Sequence, residues 1–309
     1  MNDINRFSGI ITALVTPFTK TGKIDWSAFE RLLDRQLEAG VVGLLPVGTT
    51  GEAATLSESE TAQIIERTVK RAKGAAYILA GTGSNVTDKT VAATKRAANL
   101  GADGALVVTP YYNRPSQAGL RTHYEDVSAA VDIDIMLYSV PGRTGVEIAP
   151  ETAAALARSC RNIVAIKEAG GRPERVSDLR ALCGRDFAIH CGDDSLALPF
   201  YALGACGLTS VLSNYDPEIC VAAHKAWAEG DRDEALRLHE VLRPLAEAMF
   251  IENSPAPVKH ILGLENAMSA MVRRPLAPVS DAARKELARV LTTFTRERKK
   301  GTREIEMSA

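Results

Sequence analysis

Eight short apolar runs recur along the chain, with helix-like stretches between them. They show little of the alternation of half-exposed strands, so we expect strands that are covered on both faces. Strands that alternate with helices predict a parallel sheet, and eight such units can close into an α/β fold of the (β/α)8 TIM barrel type. The predicted strands are Gly9–Val15, Val41–Gly48, Ala76–Gly81, Gly104–Thr109, Ile133–Val140, Ile163–Lys167, Phe187–Gly192 and Leu208–Ser213.

The main alternative to a barrel is an open doubly wound sheet. Such a sheet usually carries a Gly-rich phosphate-binding fingerprint after its first strand. The first strand here is followed by Thr16-Pro-Phe-Thr-Lys-Thr-Gly22, which has no such fingerprint. Helix starts are indicated by Asp25 and by Ser57-Glu-Ser-Glu60, which fits a capping box. The barrel is therefore the favoured architecture.

After Asp216 the pattern changes to helices alone. We interpret the first of these helices as the last of the barrel and the others as a C-terminal helical extension. The predicted division is a TIM barrel catalytic domain at residues 1–229 and the extension at 230–309. The predicted helices are Pro217–Glu229, Arg232–Phe250, Ser254–Leu262 and Ser280–Phe294.

Charge and cysteine usage limit the class of protein. The formal net charge of -1 offers no general attraction for nucleic acid or for an anionic membrane. No apolar run approaches the ~20 residues of a membrane-spanning helix, and the start of the chain lacks the features of a signal peptide. The five cysteines are odd in number and scattered, which favours reduced thiols and a cytoplasmic protein.

One predicted strand ends in a lysine, Lys167. Lysine is almost never fully buried unless it is paired or functional. Burial favours the neutral amine, which attacks carbonyl carbons and forms Schiff bases. The alternatives are a side chain that reaches solvent from the strand end and an ion pair with Glu168. Lys167 is therefore a candidate nucleophile.

Other polar groups follow strands at the same, carboxyl end, where the active site of a barrel of this type lies. Gly48-Thr-Thr-Gly51 is either a plain turn or a nest of backbone N–H groups that suits a carboxylate. It is not a phosphate-binding P-loop, because no Gly-Lys-Ser/Thr follows. Arg143, in a Gly-flanked loop, is either a solvated arginine or a carboxylate clamp.

Aromatic and acidic residues at this end have two interpretations each. Tyr138, in strand five, is a core tyrosine or a proton carrier. Tyr111 and Tyr112 are adjacent, so at most one of them should point into a given pocket. For Asp193-Asp194 we favour helix capping over a metal site, because no histidine or further carboxylate has suitable spacing. A basic amine, hydroxyls and an arginine together suit carbonyl chemistry on a keto acid, without metal or cofactor.

Five motifs follow one another along the chain: Gly48-Thr-Thr-Gly-Glu52, Thr109-Pro-Tyr-Tyr-Asn-Arg-Pro-Ser116, Leu137-Tyr-Ser-Val-Pro-Gly-Arg-Thr-Gly145, Ile166-Lys-Glu-Ala169 and Gly192-Asp-Asp194. Together they resemble the dihydrodipicolinate synthase / N-acetylneuraminate lyase superfamily of class I pyruvate aldolases. The resemblance runs from about Phe7 to about Phe294 and is closest to the synthase branch. It implies condensation of pyruvate with L-aspartate 4-semialdehyde in lysine and diaminopimelate biosynthesis.

The same resemblance implies roles for individual residues. Lys167 would form the Schiff base with pyruvate, and Tyr138 would be the general acid and base. Thr49 and Thr50 would hold the pyruvate moiety, and one of them would connect Tyr138 to Tyr112 in a proton relay. Tyr112 is expected to reach into a neighbouring subunit's site, which makes a homotetramer built from tight dimers the expected assembly.

Two further roles concern the substrates. The backbone at Thr209 would help to hold pyruvate, and Arg143 would hold the carboxylate of the semialdehyde. Neuraminate lyases typically carry Gly-Ser-Thr-Gly and lack the arginine. Ser139 and Gly170-Gly171 depart from the usual synthase pattern, which leaves the second substrate open. The alternative function is an aldolase or dehydratase of a longer 2-keto-3-deoxy sugar acid.

The synthases' feedback site for lysine maps onto a defined set of positions in this chain. Asn85 and Tyr111 match the lysine-inhibited members, whereas Lys89 places a cation where those members have an acid. Repulsion between like charges predicts weak or absent inhibition by lysine. The positions are Ala53, Ala54, Glu58, Thr61, Asn85, Lys89 and Tyr111.

Overall fold

Eight parallel strands close into a barrel in sequence order in the computed structural model, which describes residues 4–72 and 74–308, with side chains for 6–72 and 74–300. Closure is seen at β1, where Ile11 pairs with Gly43 of β2 and with Thr209 of β8. The predicted barrel is thus confirmed. The strands are β1 Gly9–Ala13, β2 Gly43–Leu45, β3 Tyr77–Gly81, β4 Gly104–Val108, β5 Asp134–Ser139, β6 Ile163–Glu168, β7 Ala188–Cys191 and β8 Gly207–Ser210.

Each strand buries different side chains on its two faces. Ile11 and Leu45 belong to a core inside the barrel, which also includes Phe7, just before β1. Ile10 and Leu44, one position away, belong to the larger core between strands and helices. Both faces are therefore apolar, which explains why the predicted strands lack alternation.

Helices follow the strands and then continue alone. Asp25 caps α1 by accepting the N–H of Ala28 at 3.0 Å. Ser57 and Glu60 form the predicted capping box before α2. The helices are α1 Trp26–Glu38, α2 Glu58–Ala72, α3 Thr87–Asn99, α4 Gln117–Ala129, α5 Pro141–Thr144, α6 Pro150–Ser159, α7 Arg175–Cys183, α8 Ala197–Ala202, α9 Pro217–Glu229, α10 Arg232–Ala248, α11 Ala256–Leu264 and α12 Asp281–Ser308.

The helices α10 to α12 form the C-terminal extension, which packs on the barrel. Leu245 of α10, Ile261 of α11 and Leu287 of α12 belong to the same hydrophobic core as the outer faces of the strands. We keep 1–229 and 230–309 as the proposed division, because the alternation of strand and helix stops there. No helix within the described ranges has the length and apolar character needed to cross a membrane.

Candidate active site

Lys167 and Tyr138 meet inside the barrel near the carboxyl ends of β6 and β5. The two residues are register partners, and the Lys167 Nζ atom lies 4.5 Å from the centroid of the Tyr138 ring. Lys167 is 5% exposed and Tyr138 is 7% exposed. A cation over an aromatic face is attracted by the ring quadrupole, so the tyrosine stabilises the lysine in this position. The structure thus brings the predicted nucleophile and the predicted proton carrier together.

The neighbouring acid, Glu168, does not pair with Lys167. Successive residues of a strand face opposite ways, and Glu168 accepts hydrogen bonds from Arg175 Nε at 3.1 Å and from the N–H of Gly170 at 2.8 Å. The alternative of a Lys167–Glu168 ion pair is therefore wrong. Gly192 leaves room for the lysine, since a Cβ atom there would lie 3.0 Å from the Lys167 Cε atom.

Thr49 and Thr50 lie in a tight turn after β2, Gly48-Thr-Thr-Gly51, which we call the threonine turn. The strand ends earlier than predicted, before Pro46, and Val47 then adopts a left-handed backbone conformation with φ of 52°, which is rare for a β-branched residue. Within the turn, the N–H of Gly51 donates to the carbonyl of Gly48 at 3.1 Å. Thr50 is buried and Thr49 is exposed.

The predicted relay is not formed within one chain. Among the described residues, no hydrogen bond joins the Tyr138 hydroxyl to Thr49, Thr50 or Tyr112. Tyr112 instead projects outward, with 91% of its surface exposed and a left-handed φ of 73°. The relay therefore remains a prediction.

The loop that carries Tyr112 is held on both sides. Asn113 Nδ2 donates to the carbonyl of Asn85 at 2.8 Å, and Arg114 Nε donates to the carbonyl of Gly145 at 2.9 Å. These bonds tie the loop to the neighbouring strand ends. An exposed aromatic ring on a fixed loop is typical of a residue that contacts a partner.

Arg143 lies on α5 and lines an open cavity of about 590 Å³. The opposite wall comes from the C-terminal extension and includes Asn253 and Ser254. The α5 turn is held by the Thr109 hydroxyl, which donates to the Thr144 hydroxyl at 3.0 Å. The guanidinium is exposed, so it is free to meet an anion that enters this cavity.

Thr209 belongs to a buried polar chain that the sequence reasoning missed. His190 Nε2 lies 2.6 Å from the carbonyl oxygen of Phe7, and its Nδ1 lies 3.2 Å from the Thr209 hydroxyl. A carbonyl oxygen only accepts, so Nε2 carries the hydrogen and Thr209 donates to Nδ1. Burial lowers the pKa of His190 to about 4, which keeps the imidazole neutral. His190 is the register partner of Lys167 on the neighbouring strand. A histidine within a predicted apolar strand is therefore the sequence signal that could have revealed this polar chain.

Asp193 caps a short helix, as predicted, whereas Asp194 has a different role. Asp193 accepts the N–H of Ser195 at 2.9 Å. Asp194 accepts the N–H of Val211 at 2.9 Å and the hydroxyl hydrogen of Ser210, so it fixes the end of β8. Burial raises the pKa of Asp194, and the bond from Ser210 opposes this shift. No cluster of three or more metal-ligating residues was found in the described ranges.

A second buried lysine was also missed. Lys259 of α11 is fully buried and forms an ion pair with Glu52, the residue that ends the threonine turn. Its Nζ atom also donates to the carbonyl of Met271 at 2.9 Å. Burial lowers the pKa of Lys259 to about 8, and Glu52 opposes the shift. Because its ammonium is occupied, Lys259 is not a rival nucleophile.

Known proteins resemble this chain over nearly its whole length. The sequence model of the Dihydrodipicolinate synthetase family matches residues 6–294. A 4-hydroxy-tetrahydrodipicolinate synthase from Endomicrobium trichonymphae is 44% identical over 288 residues, which cover 93% of this chain and 98% of the relative.

Two solved structures resemble the fold closely. The 4-hydroxy-tetrahydrodipicolinate synthase from Methylacidiphilum fumariolicum SolV has a TM-score of 0.94 and 42% identity, and the match covers 95% of this chain and 98% of that one. A chloride-inhibited dihydrodipicolinate synthase from Acinetobacter baumannii, complexed with pyruvate, has a TM-score of 0.91 and 38% identity, with coverage of 94% and 99%.

Proposed function

The chain belongs to the dihydrodipicolinate synthetase family of lyases, and we propose that it condenses pyruvate with L-aspartate 4-semialdehyde through a Schiff base on Lys167. The product would be 4-hydroxy-tetrahydrodipicolinate. The observation that carries this proposal is the buried Lys167 beside Tyr138 at the carboxyl end of the barrel. The names of the relatives support the choice of substrates.

Lys167 and Tyr138 would perform the first half of the reaction. The neutral amine attacks the ketone carbon of pyruvate, and the resulting carbinolamine loses water to give an iminium. The Tyr138 hydroxyl donates the proton that the departing oxygen needs and then accepts one from the methyl group. The product of this half-reaction is an enamine, whose terminal carbon is nucleophilic.

The pyruvate carboxylate would bind at the turn that holds Thr49 and Thr50. Backbone N–H groups and hydroxyls there can donate to both oxygens, as in other anion-binding nests. The backbone at Thr209, at the end of β8, would complete the contact. This placement keeps the ketone carbon close to Lys167, because both elements lie at the same end of the barrel.

The second half of the reaction would take place between Lys167 and Arg143, which lies on α5 directly after β5. The enamine carbon attacks the aldehyde carbon of the semialdehyde, and the resulting alkoxide takes the proton that the Tyr138 hydroxyl accepted from the methyl group. The carboxylate of the semialdehyde pairs with the guanidinium of Arg143. The amino group of the bound semialdehyde then attacks the iminium carbon, closes the ring and releases Lys167 as the amine. The balance is one water lost from pyruvate and semialdehyde together.

Tyr112 would complete the proton relay of a neighbouring subunit. It is almost fully exposed on a loop that hydrogen bonds hold in place, and in one chain it has no hydroxyl partner among the described residues. A two-fold dimer would place each Tyr112 in the partner's site. We propose a homotetramer built from such dimers.

Mixing two inactive variants tests the shared site. A Lys167→Met subunit keeps Tyr112, and a Tyr112→Phe subunit keeps Lys167, so a mixed dimer contains one complete site. After dissociation and reassociation, activity should rise to about a quarter of the wild-type value, because about half of the dimers are mixed. Each variant passed through the same treatment alone is the control. An activity no higher than the sum of the two controls would argue against the shared site.

We expect lysine to be a weak inhibitor or none. Lys89 is exposed on α3. Glu58 is the one acid among the mapped positions, and it pairs with Arg96 at 2.9 Å. The ammonium of a lysine bound at these positions would therefore face the cation of Lys89, and the mapped carboxylate, Glu58, is already paired. A steady-state assay at increasing lysine should show no inhibition in the micromolar range. Inhibition there, and its loss in a Tyr111→Ala variant, would show a working feedback site.

A substrate panel tests the proposed activity. Aspartate semialdehyde condensation should be faster than turnover of any longer 2-keto-3-deoxy sugar acid, because the exposed guanidinium of Arg143 offers a partner for the carboxylate of the semialdehyde. Faster turnover of a sugar acid would favour the aldolase or dehydratase alternative. We further propose a place in lysine and diaminopimelate biosynthesis in the cytoplasm, which the free cysteines support.

A further inference from the structure

The turn that is proposed to bind pyruvate is bounded by two residues with unfavourable backbone conformations. Val47 precedes it with φ of 52°, and Glu52 ends it with φ of 57°. Left-handed backbone is uncommon for residues other than glycine and persists only where surrounding contacts fix it. The contacts that fix Glu52 are therefore contacts that shape the turn.

Those contacts come from the C-terminal extension. The Glu52 carboxylate is buried, and one oxygen accepts the backbone N–H of Arg273 at 2.8 Å. The other oxygen is paired with Lys259, 207 residues further along the chain. Two residues of the extension, Lys259 and Arg273, thus hold a single side chain of the turn.

The partner Lys259 is itself fully enclosed. Its Nζ atom binds Glu52, donates to the carbonyl of Met271 at 2.9 Å and lies 4.2 Å from the centroid of the Phe18 ring. Neither side chain of the pair reaches solvent. Removal of one partner would leave the other charge buried and unpaired, whereas removal of both charges would not.

Backbone hydrogen bonds connect Glu52 to the rest of the turn. The N–H of Glu52 donates to the carbonyl of Thr49 at 3.0 Å, and the Thr16 hydroxyl donates to the carbonyl of Gly51 at 2.7 Å. A shift of Glu52 therefore acts on the Thr49–Thr50 peptide group, to which its N–H is bonded, and on the Gly51–Glu52 peptide group, of which it is part. The threonine hydroxyls and N–H groups move with them.

We infer that the buried pair Glu52–Lys259, together with the N–H of Arg273, makes the C-terminal extension a positioning element for the pyruvate carboxylate. This inference rests on the proposed function, because it takes the threonine turn as the carboxylate site. Lys259 and Glu52 are positioning residues, since neither touches the reacting atoms. The extension then has a role in substrate binding beyond covering the barrel.

The test separates substrate binding from stability in two variants, Lys259→Met and Glu52→Gln/Lys259→Met. The readouts are the midpoint of thermal unfolding and the pyruvate concentration that gives half-maximal borohydride trapping on Lys167. Lys259→Met should lower the midpoint and raise the half-saturating pyruvate concentration about tenfold, the effect of a lost hydrogen bond on binding. The double variant should recover stability but keep the raised pyruvate requirement, because the anchoring ion pair is still absent.

A purely structural role gives a different pattern. In that case the pyruvate requirement would return to the wild-type value together with stability in the double variant, and this result would overturn the inference. A Lys259→Met variant with an unchanged half-saturating pyruvate concentration would also overturn the inference. If Lys259→Met does not fold, the double variant alone decides between the two patterns.

Asp134→Asn is the matched control for lost stability. Asp134 lies at the start of β5, where it accepts the Tyr77 hydroxyl hydrogen at 2.8 Å and pairs with Arg6 at 2.7 Å. This variant should lower the midpoint without changing the pyruvate requirement. Failure of the proposed function would appear separately, as absence of trapping in the wild-type protein, and it would remove this inference as well.

Discussion

Replacing Lys167 with methionine is expected to lower kcat by about 10⁴-fold or more, the scale on which loss of a covalent nucleophile acts. Methionine fills a similar volume but cannot attack a ketone. The methionine side chain would still fill the space beside the Tyr138 ring and Gly192, so the shape of the site should change little. Steady-state kinetics with pyruvate and aspartate semialdehyde would measure the loss.

The same substitution should not destabilise the fold. Lys167 is a buried amine, and among the described residues it has no carboxylate partner, because Glu168 pairs with Arg175 instead. Methionine removes the cost of desolvating this polar group and leaves no buried carboxylate unpaired. The midpoint of thermal unfolding should therefore stay the same or rise. An inactive variant that is also unfolded would leave no support for a specific chemical role, and residual activity within tenfold of the wild type would contradict that role.

Replacing Tyr138 with phenylalanine is expected to lower kcat by about 10²- to 10³-fold, the usual contribution of a positioned proton donor and acceptor. Phenylalanine keeps the ring that lies 4.5 Å from the Lys167 Nζ atom, so the position of the amine should not change. Borohydride should still trap pyruvate on Lys167, but more slowly. The measurement combines kcat with the rate of trapping.

Tyr124→Phe is the matched control for loss of a phenol hydroxyl. Tyr124 is fully buried in the outer core, where its hydroxyl donates to the carbonyl of Val107 at 3.1 Å. This variant should lose some stability and retain kcat. A Tyr138→Phe variant that behaved in the same way would make Tyr138 a core tyrosine, the simpler interpretation of its sequence context.

The barrel and the lysine were predictable because each leaves a local signal. Apolar runs without alternation indicate strands covered on both faces, and a cation at the end of such a run breaks the pattern at Lys167. The ends of strands were less certain. Strand β2 stops at Leu45, because Pro46 has no N–H to donate to the ladder and Val47 leaves the extended conformation. The proline is a local signal, but no local rule predicts a left-handed valine.

The supporting residues could not be read from local patterns. Lys259 lies in a helix, where a lysine is usually exposed, and its burial depends on Glu52 far away in sequence. His190 did leave a signal, since it is polar and faces into the barrel one strand from Lys167. Its partner, the carbonyl of Phe7, is a backbone group that no sequence pattern marks.

Borohydride trapping with pyruvate is the most direct test of the central claim. Incubation of the protein with pyruvate and borohydride, followed by peptide mass spectrometry, should show a reduced pyruvate adduct on Lys167. Lys259 should remain unmodified, because Glu52 and Met271 occupy its ammonium. Absence of an adduct, or an adduct on a different lysine, would contradict the account.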